Sequence, residues 1–250
     1  MTENLSTVSR RDELLRNYEA VKARVASAAE KAGRDPSEIT LMAVTKTMPA
    51  EDVNVLIDAG IAVCGENRVQ ELLEKQPLLH PCEMQFIGTL QKNKVRHLIG
   101  RVSLIQSVGS LDVLNEIEKR SAAADTVTSV LLEINIGGEE QKSGFAPDDL
   151  NAVLEAAAAK KHIFARGLMT VPPASDSQNA EKEKIRDYFE KMHQLFIDNR
   201  GKKSDNIDMC ILSMGMSADF ETAIACGATL VRVGTGLFGK RTYGQTNQKE

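Results

Sequence analysis

Neither sign of charge dominates this chain: 31 Lys and Arg stand against 35 Asp and Glu, giving 250 residues a net charge of -4. No stretch gathers basic residues into the stripe that follows a phosphate backbone, so nucleic acid is not expected as a principal partner. Long hydrophobic runs are missing as well. No segment approaches the roughly 20 apolar residues that cross a bilayer, and the opening MTENLSTVSRRDELL lacks the apolar stretch of a signal peptide. These absences argue against a membrane partner and for a cytoplasmic location. Cysteine is scarce: Cys64, Cys82, Cys210 and Cys226 form no C-x-x-C pair, and three lie beside strand-like runs, so they read as reduced core thiols. His80, His97, His162 and His193 have no metal-ligand spacing, and no metal is expected.

What the sequence does have is alternation. Residues 10 to 32 place Leu14, Tyr18, Val21, Val25 and Ala28 three and four apart, with Gly33 just beyond, the pattern of an amphipathic helix and its C-cap. Short β-branched runs then follow at 41–45, 61–64, 84–87, 102–105, 127–134, 163–169, 208–213 and 229–233. Helical patterns separate them, as between Glu181 and Asn199, where Ile185, Phe189, Met192 and Phe196 mark one face. Strict alternation implies a parallel sheet, and eight units without a break in composition predict an α/β fold, a (β/α)8 TIM-type barrel with an extra N-terminal helix. An open doubly wound sheet is the alternative. One domain over residues 1–250 is expected, with about 1–9 and 242–250 as flexible tails.

A barrel of this type does its chemistry at the C-terminal ends of the strands and in the loops after them. Lys46 follows the first apolar run in AVTKTMPA. It reads either as a salt-bridged lysine or as an amine whose environment favours the neutral form that attacks aldehydes. After the second run, GENRVQE offers Glu66, Asn67 and Arg68; Asn67 suits a ligand or the cap of the next helix. After the seventh, SMGMSADF combines Ser213 and Gly215 with Ser217 or Asp219 as a helix start. After the eighth comes GTGLFG, residues 234 to 239, a formal G-x-G-x-x-G; with 11 residues remaining, the strand and acidic residue of a dinucleotide site have no place. Loops seven and eight are where such barrels hold phosphate, which explains both glycine-rich segments, although such turns also arise for steric reasons. Arg232 alternates with Val231 and Val233 and so points into the barrel, toward either a carboxylate or a ligand atom.

A lysine, a double phosphate loop and an inward arginine at one mouth suit an aldehyde that carries a phosphate and a ring nitrogen. Here the sequence resembles the pyridoxal phosphate homeostasis proteins, single-domain fold-type III barrels related to the alanine racemase N-terminal domain. The matching stretches are AVTKTMPA, GENRVQE, FIGTLQKNK, INIGGEEQKSGF, RGLMTV, LSMGMSADFETAI and VRVGTGLFGKR, in order from residue 43 to residue 241. The resemblance implies pyridoxal 5'-phosphate as cofactor, held as a Schiff base on Lys46. It implies a phosphate cradle of Ser213, Gly215, Gly234 and Thr235, Arg232 at the pyridine nitrogen, and Asn67 and Met169 lining the pocket. A permanent cation at that nitrogen weakens the ring as an electron sink. The expected function is therefore buffering or delivery of the cofactor, with PLP-dependent apoenzymes as recipients and no turnover of its own. Met84, Gln85, Thr89, Gln106 and Gly109 depart from the family's usual residues.

Two other functions compete. An amino-acid racemase needs a second acid/base group on the opposite face of the cofactor, which related racemases take from an additional β domain. The tyrosines here, Tyr18, Tyr188 and Tyr243, fall at no expected strand end. A cofactor-free barrel enzyme acting on a phosphorylated metabolite would use the phosphate loops but give Lys46 another role.

Overall fold

The computed structural model describes residues 9–173, 180–201 and 204–239. Eight parallel strands close into a barrel in chain order, with β1 paired to both β2 and β8. They are β1 Thr40–Val44, β2 Val63–Glu66, β3 Glu83–Phe86, β4 Leu104–Val108, β5 Thr128–Glu133, β6 Ile163–Met169, β7 Ile207–Met216 and β8 Leu230–Val233. Around them stand α1 Arg10–Lys31, α2 Ala50–Asp58, α3 Val69–Lys75, α4 Leu111–Ala123, α5 Leu150–Ala158, α6 Ala180–Arg200, α7 Phe220–Ala225 and α8 Thr235–Phe238. The architecture is the barrel that the alternation implies. Among the described residues no helix is long and apolar enough to cross a membrane.

α1 forms as its spacing predicts, burying Leu14, Tyr18, Val21, Val25 and Ala28. Ser9, grouped with the tail on sequence grounds, is its N-cap and accepts from the Asp12 amide at 3.2 Å. Gly33, at φ +69°, turns the chain just past its C-terminus. The expected tails at 1–8 and 242–250 lie outside the described residues. The leading helix has a structural task that the sequence does not announce. α8 is a single turn, too short to cover the wall formed by β8 and β1. α1 lies there instead, packed against α7, α8 and α2, with Asn17 Nδ2 donating to the Leu237 carbonyl at 3.1 Å. It stands in for the eighth helix of the ring.

Other boundaries differ from the apolar runs for local reasons. β2 starts at Val63 because the Ile61 amide is still bonded to the Leu56 carbonyl in the turn leaving α2. β4 starts at Leu104 because Arg101 and Val102 still bond back to Leu98. Between β3 and β4 a 3-10 helix, Lys92–His97, replaces the expected α-helix; only Val95 of its six residues is buried, too little for an apolar stripe. β7 runs on to Met216, so Ser213 and Gly215 belong to the strand and not to the loop after it. Its pairing with β8 shifts between Ser213 and Met216, a bulge that Gly215 permits with φ +91°. A Cβ at Gly215 would stand 2.5 Å from Ala223 Cβ and 3.0 Å from Phe220 Cα. Close packing of α7 on β7 therefore requires glycine there.

The larger core lies between strands and helices and includes Phe86, Phe189, Phe220 and Leu14. Inside the barrel, Met42, Val63 and Leu230 pack with Ile87 and Ile211, and Leu104, Leu131 and Met169 pack beside them. Two residues further along the same strands, and so on the same inner face, the side chains become polar: Gln106 after Leu104, Glu133 after Leu131, Ser213 after Ile211 and Arg232 after Leu230. The apolar layer is a floor, and the polar layer opens toward the C-terminal mouth.

Candidate functional site

Lys46 lies in the turn that follows β1, half-buried, and lines a small cleft with Val44, Met48, Gly234, Thr235, Phe238 and Gly239. It enters no ion pair among the described residues. Loop one and loop eight thus share one cleft, although 188 residues separate Lys46 from Gly234.

Arg232 is 4% exposed and points inward as alternation requires. Its Nη1 donates to Ser213 Oγ at 2.6 Å and its Nη2 to the Thr170 carbonyl at 2.8 Å. The chain continues: Ser213 Oγ donates to Gln106 Oε1 at 2.6 Å, and Gln106 Nε2 donates to Gln85 Oε1 at 2.6 Å. Every link donates in the same direction, away from the guanidinium. Among the described residues no carboxylate forms an ion pair with Arg232. Burial pushes its pKa down to about 10, while the charges of Asp219 and Glu133 nearby pull it up, so it remains a cation at neutral pH. Burial also drives both carboxyl groups upward from their ordinary values, against the bonds that Glu133 accepts from Ser143 Oγ at 3.0 Å and Asp219 from the Met216 amide at 2.6 Å.

Asn67 does not cap α3; the N-cap is Arg68, and no side chain caps there. The Asn67 Oδ1 atom is buried and has no hydrogen-bond partner. A buried polar atom left unpaired costs about 1–3 kcal/mol, the mark of a group that awaits something else. Glu66, its neighbour in sequence, faces the other way, fully buried against α3 and bonded to Lys75 and Thr45. It is not a mouth residue.

Where loops seven and eight meet, the Ser217 hydroxyl accepts from the amides of Gly234 and Gly236, at 3.1 and 3.2 Å. With two backbone N–H groups donating to its oxygen, the hydroxyl keeps its own proton to donate. Ser217 was legible on sequence only as the start of a helix; its second role follows from the fold, which brings loops seven and eight together. Ser213, placed in the phosphate cradle by resemblance, is fully buried, with its hydroxyl committed to Gln106 and Arg232. Thr235 is exposed at the first position of α8, and Met169 is buried in the floor.

The departures from the family pattern fit locally. Gln85 and Gln106 satisfy each other, Met84 is buried in the outer core, and Thr89 is exposed. A Cβ at Gly109 would stand 2.7 Å from the Gly144 amide and 3.1 Å from Glu133 Oε2, so glycine there lets the loop after β5 close over the mouth.

At the C-terminal end of one barrel stand an amine, a buried donating cation, an unpaired amide oxygen and the start of α8, groups that suit an aldehyde, a ring acceptor and a phosphate. Residues 16–242 match the family profile described as "Alanine racemase, N-terminal domain". Fold and profile together define a barrel of the alanine racemase N-terminal type. The pyridoxal phosphate homeostasis protein of Aquifex aeolicus is 41% identical over 225 residues, 89% of this chain and 96% of that protein. A solved structure of an unknown protein from Bifidobacterium adolescentis is similar with TM-score 0.85 at 32% identity, covering 92% of this chain and 97% of that one. PipY of Synechococcus elongatus, solved with PLP bound, gives TM-score 0.74 at 29% identity over 88% of this chain and all of that one. The chain belongs to the pyridoxal phosphate homeostasis protein family.

Proposed function

We propose that this protein binds pyridoxal 5'-phosphate at the mouth of the barrel, as a Schiff base on Lys46, and holds it for buffering or for delivery to PLP-dependent apoenzymes in the cytoplasm. The observation that carries the reading is the shared cleft, in which an amine outside any ion pair stands beside the backbone of Gly234 and Thr235. The aldehyde supplies the electrophile, and Lys46 supplies the nitrogen that captures it. The start of α8 at Gly234 and Thr235 takes the phosphate, and the Ser217 hydroxyl, which accepts from the Gly234 and Gly236 amides, donates its own proton to it. We assign Ser213 to the ring end, where it orients Arg232, and Gly215 to the packing of α7. Arg232 meets the ring nitrogen as a hydrogen-bond donor, Asn67 offers its unpaired amide from the side, and Met169 forms part of the floor.

Holding the cofactor is favoured over racemisation by the proton inventory at the mouth. Arg232 stays charged, so it donates a hydrogen bond to the ring nitrogen without passing a proton to it. Of the described tyrosines, Tyr18 lies under the opposite end, its hydroxyl 3.2 Å from where a Gly60 Cβ would stand, and Tyr188 lies on α6 in the outer ring. Neither supplies an acid or base at the mouth. Titrating the purified protein with pyridoxal 5'-phosphate should give a visible absorption band that saturates at one equivalent. The loaded protein should then restore activity to a PLP-dependent apoenzyme while racemising no amino acid. Steady turnover of an amino acid by the loaded protein would replace buffering with catalysis. A protein that stays colourless would remove the cofactor and favour an enzyme acting on a phosphorylated metabolite.

A further inference from the structure

Behind Lys46, on the side away from the cleft, three charged groups are packed into one buried cluster. Lys75, the last residue of α3, is 7% exposed and Glu66 is fully buried. The Lys75 ammonium donates to Glu66 Oε1, to Glu71 Oε1 at 2.9 Å and to the Thr45 carbonyl at 2.7 Å, which uses all three of its protons. Glu66 also accepts from Thr45 Oγ1 at 2.7 Å and from the Asn67 amide at 3.2 Å, and Glu71 accepts from the Thr47 amide.

Burying such charges is seldom a net gain in stability, because the desolvation of each ion competes with their attraction. Among the described residues the side-chain bonds that the cluster makes beyond itself go to Thr45, Thr47 and Asn67. Thr45 and Thr47 flank Lys46, and Asn67 carries the unpaired oxygen. Thr47 has φ +64°, a left-handed conformation that costs a β-branched residue about 1–2 kcal/mol and persists only where neighbours hold it. The Thr45 carbonyl meanwhile accepts from both Lys75 and the Met48 amide, closing the turn that carries Lys46.

We infer that Lys75, with Glu66 and Glu71, is a positioning residue that fixes the turn bearing Lys46 and so sets the direction in which its amine meets an aldehyde. The inference rests on the reading of Lys46 as the capturing amine. It concerns direction and not the anchoring of phosphate or ring, so the two contributions separate by choice of ligand. Pyridoxine 5'-phosphate has the ring and the phosphate but no aldehyde.

The test compares wild type with Lys75→Met, Glu71→Ala and the double variant Glu66→Gln/Lys75→Met. Glu71→Ala removes a side chain that water can replace, since it is 21% exposed, and the double variant leaves no buried charge unpaired, so the test survives if Lys75→Met alone does not fold. Folded variants should bind pyridoxal 5'-phosphate at least tenfold more weakly than wild type, bind pyridoxine 5'-phosphate within about twofold, and exchange the ligand-free Thr47 amide at least tenfold faster. Folded variants with wild-type affinity for the aldehyde and wild-type exchange at Thr47 overturn the inference. An equal loss for both ligands also overturns it, since it marks a merely structural role. If wild type itself captures no aldehyde at Lys46, the functional reading fails on its own, and exchange at Thr47 still decides whether the clamp exists.

Discussion

Lys46 and Arg232 differ in how much of their role the sequence carries. Alternation in Leu230-Val231-Arg232-Val233 is enough to turn Arg232 inward, and the structure confirms that orientation with 4% exposure. Its protein partners were not legible: a carboxylate or a ligand atom is expected, and a hydroxyl on β7 and the Thr170 carbonyl, the former 19 and the latter 62 positions away, accept from it. For Lys46 a place at the mouth and two chemistries are readable from sequence, and the shared cleft with loop eight favours the second. Lys46→Ala should abolish borohydride-stable labelling by pyridoxal 5'-phosphate while keeping weaker binding through phosphate and ring, as read by ultrafiltration. Equal labelling of that variant would put the linkage on another lysine. Glu133 allows a separate check on the electrostatics of the mouth. Burial raises its pKa, so Glu133 stabilises the fold while protonated, and that contribution is lost as pH rises through the folded value. Glu133→Gln should therefore unfold at a higher temperature than wild type at pH 7, and the gap should close as pH falls toward about 4. A gap that widens on acidification would mean that the carboxylate is stabilised in the folded protein.

Among the elements, long periodic segments were read well and short ones were not. α1 obeys its stripe residue for residue, because an apolar face over six turns leaves no other register. β7 shows the limit. Its apolar run stops near Ser213, yet the strand continues to Met216 because a glycine bulge lets it keep pairing with β8. Apolar periodicity carries no mark for a bulge, so the glycine-rich end of β7 looked like a loop. The 3-10 helix at Lys92–His97 was missed for the opposite reason, since alternation suggests a helix in every crossover while the residues there lack a stripe. The task of α1 depends on how short α8 is, and so belongs to two ends of the chain at once. Leu14 is fully buried where α1 covers the barrel wall. Leu14→Ala should lower unfolding stability by about 2–5 kcal/mol in denaturant titrations. A loss under about 0.5 kcal/mol, the range of surface substitutions, would show that α1 is dispensable to the ring.

For the molecule as a whole, closure of the barrel converts separate weak signals into one site. Lys46, Asn67, Met169, Arg232 and Gly234 come from the ends of four strands, β1, β2, β6 and β8, and a closed sheet brings those ends to one mouth. The barrel rule already brings the lysine, the two glycine-rich loops and the arginine to one mouth; the family resemblance adds Asn67 and Met169, and relatives of 41% and 40% identity over most of the chain show that family. In fine detail the resemblance implies Ser213 at the phosphate, and the folded chain shows its hydroxyl bonded to Arg232 and Gln106. The central claim is capture of an aldehyde cofactor by Lys46, and the most direct test is borohydride reduction of the protein mixed with pyridoxal 5'-phosphate, followed by peptide mapping. The account predicts one pyridoxyl group per chain, on the peptide that contains Lys46. A reduced adduct elsewhere, or none at saturating cofactor, would contradict it.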